Sequence, residues 1–235
     1  HSIKLAKSFT LIKFAKVQYL IRSIQIMIVK PTGEKIKEAV SIIKNGGLVA
    51  FPTETVYGLG ADGLNPEAVA RVFQAKKRLL SDPLPLHIAD RNWLRELVYL
   101  NDTAEALMDR FWPGSLTLVL SKKDIIPNIV TAGLSKVGLR MPKSPVALQL
   151  IKEVGGPITG TSANITGLPS PRIAKDVEKY LRDRVELILD GGRCEIGLES
   201  TILDLTGEKP ILLRKGAIES SELEDIVGKI EEAKQ

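Results

Sequence analysis

From Lys30 onward the chain alternates amphipathic segments with short apolar runs, and this alternation limits the fold more than any other feature. Ile36, Val40 and Ile43 follow a helical period that closes on Gly46-Gly47, a glycine stop. "LVAFPT" then reads as a buried strand ended by proline. "NPEAVARVFQAKKR" opens with Asn65, Pro66 and Glu67: an N-cap, a first-turn proline and a first-turn acid. The pattern predicts further strands in "LPLHIA", "PGSLTLVLSKK", "KVGLRMP", "PITGTSAN" and "VELILDGG". It predicts helices in "NWLRELVYL", "NDTAEALMDRFW", "SPVALQLIKEVGG" and "RIAKDVEKYLRDR". "ESTILDLTGEKPILLRKG" reads as a hairpin that turns at "TGEKP". "SSELEDIVGKIEEAKQ" reads as a closing helix, capped by Ser221 with Glu224 three residues on. There is no internal repeat and no long linker. The expectation is a single α/β domain of the α+β type, with a twisted mixed sheet and helices on both sides.

The composition supports a packed domain and excludes several classes. Hydrophobic residues make up 44% of 235, enough for a sizeable core. A single cysteine, Cys194, rules out an intrachain disulfide framework and suits a reducing compartment. That thiol and two histidines, one of them at position 1, make a structural zinc site implausible. The net charge of +5 lies in residues 1–26, where Lys4, Lys7, Lys13, Lys16 and Arg22 meet no acid. Removing those five from 33 basic side chains leaves 28, equal to the 28 acidic ones, so the body is neutral. Residues 1–26 read as a basic amphipathic leader or extension without a catalytic role, with a transit peptide or membrane-surface helix as the alternative. That leader has no apolar run long enough for a membrane span, and residues 27–235 read as the catalytic body.

Several loops that follow strands carry polar residues no turn requires. "FPTETVYGLG" supplies Thr53, Glu54 and Thr55, "AKKRLLSDPL" supplies Lys76, Arg78 and Asp82, and "TSAN" supplies Ser162 and Asn164. His87 stands in an apolar strand pattern, as does Arg140, and Ser200 and Arg214 flank the hairpin. An arginine among apolar strand residues needs a carboxylate or phosphate partner. Arg140 and Arg214 therefore point to an anionic ligand or to structural ion pairs. Lys76-Lys77-Arg78 can equally complement a helix dipole, Ser162 and Asn164 can form a turn, and His87 can be a hydrogen-bonded strand histidine. Glu54 is either a general base or a loop support.

The ordered set of stretches resembles the YrdC-like family. The resemblance rests on "FPTETVYGLGADG", "AKKRLLSDPLPLHI", "FWPGSLTLVL", "VGLRMP", "GGPITGTSANITGLPSP", "DGGRCEIGLESTILDLT" and "LLRKGAI", from roughly Gly47 to Ile218. The family's KxR…SxN signature reads here as Lys76-x-Arg78 and Ser162-x-Asn164. Lys77, Leu79 and Asp82 stand where glycine, proline and asparagine are common, and Lys215 stands where proline is frequent.

The resemblance implies a single-domain version of the fold with a concave basic cavity. It implies an adenylate-forming nucleotidyltransferase that makes threonylcarbamoyl-AMP and pyrophosphate from L-threonine, bicarbonate or CO2, and ATP with Mg2+. Transferase partners downstream would then modify the adenosine beside the anticodon in tRNA, in the cytoplasm, with a tRNA contact also implied. Lys76 and Arg78 are the implied catalytic cations. Arg78, Asp82, Ser162, Asn164, Ser170 and Arg214 are the implied nucleotide contacts. Arg140 is implied for the threonine carboxylate, with Thr55, His87 and Ser200 near the amino acid. No resident metal site is implied. The alternative is an RNA-binding module of the same fold without adenylate-forming activity.

Overall fold

A computed structural model describes residues 27–233. The basic leader expected at 1–26 lies outside the described residues.

The expected mixed α/β architecture is present, and its strands divide into two mixed sheets. The first contains β1 (Met27–Val29), β2 (Val49–Phe51), β3 (Gly58–Gly60), β8 (Thr161–Ser162) and β9 (Leu187–Leu189), in the order β1-β9-β2-β3-β8. Its central strands are apolar on both sides because helices cover both faces. Val49, Phe51, Leu187 and Leu189 pack with Ile36 and Ile43 of α1 (Gly33–Lys44) and Leu150 of α5 (Pro145–Val154). Leu48, Ala50 and Ile188 belong to the opposite core, with Val69 and Val72 of α2 (Pro66–Lys76) and Val177 of α6 (Ala174–Leu181).

The second sheet contains β4 (Leu86–His87), β5 (Leu116–Ser121), β6 (Lys136–Arg140), β7 (Ile158–Thr159), β10 (Thr201–Asp204), β11 (Ile211–Arg214) and β12 (Glu231–Glu232). Their order is β12-β11-β10-β5-β6-β4-β7. Leu116, Leu118, Leu120, Leu139 and Leu203 enter the core with Leu107 and Met108 of α4 (Asp102–Phe111) and Leu223 of α7 (Ser220–Val227). The pleat sends the alternate residues, Thr117, Arg140 and Ile202, to the other face. The helix expected at "NWLRELVYL" is reduced to a 3-10 turn at Arg91–Trp93 and one short turn, α3 (Leu94–Leu97). Among the described residues no helix is long and apolar enough to cross a membrane.

Three local differences from the expected pattern matter. "PITGTSAN" is two strands, not one: β7 pairs with β4 in the second sheet, and β8 pairs with β3 in the first. Gly160 is the residue between them. A Cβ there would lie 2.1 Å from the His87 ring, so only glycine lets the chain cross at this point.

The β10–β11 hairpin is irregular between Ile202 and Leu203, so Leu212 faces Leu203 while Arg214 faces Ile202. Simple alternation would put Leu212 and Arg214 on one face. The extra residue turns Arg214 away from the core.

The closing helix is capped by Glu219, not Ser221. Glu219 and Glu222 form a reciprocal capping box two residues earlier than expected. The helix ends at Gly228 (φ +70°), and the chain returns to pair β12 with β11.

Candidate active site

The lysine–arginine pair and the "TSAN" loop form one unit. Asn65 caps α2 through its side chain, and the helix ends with Lys76, only 1% exposed. The Lys76 ammonium donates to the carbonyl oxygens of Ser162 and Asn164, the latter at 2.9 Å. In return the Thr166 amide donates to the Lys76 carbonyl at 2.9 Å. The Asn164 amide nitrogen donates to the Leu168 carbonyl at 2.6 Å, closing the loop on itself. Burial, reinforced by the charge of Arg78, lowers the Lys76 pKa to about 7, and Glu199 opposes the shift. Lys77 takes the left-handed conformation (φ 51°) and turns the chain out of the helix. Arg78 is then held by the carbonyls of Asp82 and Pro83, each at 3.1 Å.

Arg140 lies at the end of β6, buried, opposite His87 of β4. Its Nη2 donates to Glu54 Oε1 at 2.7 Å and to Thr55 Oγ1 at 3.0 Å, and its Nε donates to the Gly114 carbonyl at 2.9 Å. Glu54 also accepts from the Lys143 amide at 3.0 Å and from Ser115 Oγ at 3.2 Å. With both oxygens occupied by donors, Glu54 is placed to fix Arg140, the support reading of the two that the sequence left open. His87 is wholly buried, and its Nδ1 has no partner among the described residues. Burial, then the Arg140 charge, push its pKa well below the usual histidine value, so the imidazole is neutral.

The third cation comes from the hairpin. Arg214 Nε donates to the Ser200 carbonyl at 3.0 Å, Nη2 to Ser200 Oγ at 3.1 Å, and Nη1 to Glu199 Oε2 at 2.5 Å. Ser200 Oγ and Thr117 Oγ1 are hydrogen-bonded to each other at 2.8 Å. The other Glu199 oxygen accepts from Ser170 Oγ at 2.5 Å, across from the hairpin.

These groups surround a cavity of about 270 Å³. Its lining brings together Thr55, Lys76, Arg78, Arg140, Ser162, Asn164, Ser170, Ser200 and Arg214 of the sequence-predicted set. Two predicted residues are not in the lining. His87 lies beneath Gly160, and Asp82 contributes its carbonyl to Arg78 from outside the cavity. Sequence reasoning missed Glu199, Thr161, Thr166 and Ile202, which also line it, and Thr117 behind Ser200. For Glu199 a signal existed: it immediately precedes the predicted Ser200, but an acid in a loop gives no sign of its partner.

Four cations and one carboxylate, with hydroxyls between them, suit an anionic ligand. The lining includes no histidine or cysteine, and Cys194 is buried with its thiol pKa raised to about 11 by burial. The arrangement suits positioning and charge stabilisation.

The model of the Sua5/YciO/YrdC family, described as telomere recombination, matches residues 41–216. A threonylcarbamoyl-AMP synthase from Pyrococcus abyssi is 48% identical over 197 residues, covering 83% of this chain and 58% of the relative. One from Bacillus subtilis is 46% identical over 198 residues, covering 83% and 57%. This chain thus spans under three fifths of the length of those relatives. The crystal structure of P. abyssi Sua5 complexed with L-threonine superposes with a TM-score of 0.83 at 47% identity, covering 85% of this chain and 59% of that one.

Proposed function

The chain belongs to the Sua5/YciO/YrdC family, and from that premise we propose that it is an L-threonylcarbamoyladenylate synthase. The observation that carries the reading is the convergence of Lys76, Arg78, Arg140 and Arg214 on one small cavity edged by the "TSAN" loop. Two relatives of 46–48% identity bear the name threonylcarbamoyl-AMP synthase. The P. abyssi relative was crystallised with L-threonine.

On this reading the threonine amine adds CO2 to give a carbamate. A carbamate oxygen attacks the α-phosphorus of ATP, and pyrophosphate leaves. Arg78 and Arg214 stabilise charge on the phosphate oxygens, and Lys76 adds its charge while holding the "TSAN" loop in place. Ser162, Asn164 and Ser170 lie on the nucleotide side. Arg140 takes the threonine carboxylate, oriented by Glu54, with Thr55 and Ser200 beside it; His87 supports that wall from beneath Gly160. Magnesium arrives with the triphosphate as part of the substrate. The product passes to tRNA-modifying transferases, and the reading puts this work in the cytoplasm. An RNA-binding module without the activity is the less favoured reading, because the polar groups converge inward on a cavity of about 270 Å³.

The test is pyrophosphate release from ATP and bicarbonate with and without L-threonine. Threonine-dependent release that is lost in Lys76→Ala supports the proposal. Release that ignores threonine, or its absence from folded protein, refutes it.

A further inference from the structure

Glu199 is the one carboxylate among the cavity-lining residues, and its two oxygens face opposite walls. One accepts the Ser170 hydroxyl on the loop that follows "TSAN"; the other accepts Arg214 Nη1 on β11. A carboxylate paired with arginine only accepts hydrogen bonds. The single proton of Ser170 is therefore committed to Glu199, and what Ser170 offers the cavity is lone pairs. A phosphate oxygen brings no proton to such a group, whereas a sugar hydroxyl does. Arg214 keeps unused N–H positions: its hydrogen bonds among the described residues take one on Nε, one on Nη1 and one on Nη2, out of five. The same carboxylate thus leaves a donor for phosphate on one wall and an acceptor on the other.

We propose that Glu199 is a specificity-determining positioning residue that, through Ser170, makes the cavity select a ribose hydroxyl. This rests on the proposed ATP substrate and adds which groups of the site recognise its ribose. Glu199→Gln has a predictable sign. Its amide oxygen stays with Arg214, which offers only donors, so its NH2 faces Ser170 and turns that hydroxyl outward as a donor. The variant also removes one negative charge from beside the cations.

The test measures binding of ATP, 2′-deoxy-ATP, 3′-deoxy-ATP and inorganic triphosphate by calorimetry, without turnover. Wild type should bind one of the deoxynucleotides roughly five- to tenfold more weakly than ATP, the scale of one hydrogen bond. Ser170→Ala should bring that ratio near one. Glu199→Gln should also reduce it while tightening inorganic triphosphate, a reversal that a merely structural role would not produce. Equal binding of all three nucleotides by wild type overturns the inference and leaves the proposed function standing. Retention of the full ratio in Ser170→Ala overturns it as well. Failure of wild type to bind ATP overturns both.

Discussion

The Lys76 ammonium donates to the Asn164 carbonyl at 2.9 Å, so the two motifs named in the sequence are one hydrogen-bonded assembly. The last residue of α2 is the peg on which the "TSAN" loop hangs. Lys76→Met keeps the buried chain length and strands the carbonyls of Ser162 and Asn164. It should destabilise the protein by about 1–3 kcal/mol, the cost of buried unsatisfied acceptors. Urea denaturation with an unchanged m-value checks this, and a loss near zero would mean that the ammonium is not holding the loop.

Lys76 also makes stability and binding depend on pH. Its pKa falls from the ordinary 10.5 to about 7 in the fold, through burial first and Arg78 second. Between those values the unfolded chain holds a proton that the folded chain has released. The contribution of Lys76 to stability therefore rises with pH across that window, and below about 7 the full cost of a buried ammonium is present. A bound polyanion favours the charged form, so nucleotide binding at pH 8 should take up protons and weaken as pH rises further. Titration calorimetry in two buffers of different ionisation enthalpy reads the uptake directly. Identical heats in both buffers would contradict it, and Lys76→Met should abolish the effect.

Glu54 and Arg140 form a buried pair at 2.7 Å, with side chains 6% and 5% exposed. Removing one partner leaves the other charged and desolvated. Glu54→Ala should cost about 3–5 kcal/mol. If Glu54 were instead a general base, the variant would lose turnover at nearly unchanged stability, so thermal and chemical denaturation alongside a rate assay separate the two roles.

Lys77 holds a left-handed conformation (φ 51°) that glycine adopts without strain. Lys77→Gly should leave stability unchanged or raise it by up to about 1 kcal/mol, because relief of strain outweighs the added freedom of the unfolded chain. Lys77→Ala retains the Cβ and should give no gain. A clear loss in the glycine variant, measured by denaturant midpoint, would show that the Lys77 side chain supports the turn.

Gly160 and His87 occupy the same space, since a Cβ at 160 would lie within 2.1–2.5 Å of the imidazole. Gly160→Ala should destabilise by roughly 1–3 kcal/mol through overpacking. Combined with His87→Ala, which empties that space, the penalty should shrink, and a double-mutant cycle measures the coupling. Additive effects would mean that the two sites do not share the space.

By itself the sequence determined most of the elements. The period of Ile36, Val40 and Ile43, the Asn65-Pro66-Glu67 helix start and the apolar runs at Val49–Phe51 and Leu187–Leu189 are local signals, and the structure realises each of them. The resemblance in the motifs also named most of the polar side chains that line the cavity. Tertiary structure alone decided how the strands divide between two sheets at Gly160, because that depends on the His87 ring more than 70 residues earlier. It decided the face of Arg214, because one irregular residue in a ladder reverses alternation without altering composition. It decided that Glu54 is bound to Arg140 and Glu199 to Ser170 and Arg214, since a carboxylate's role is set by which donors reach it. Those donors come from β6, from the loop after β8 and from β11, which approach one another only when the sheets pack.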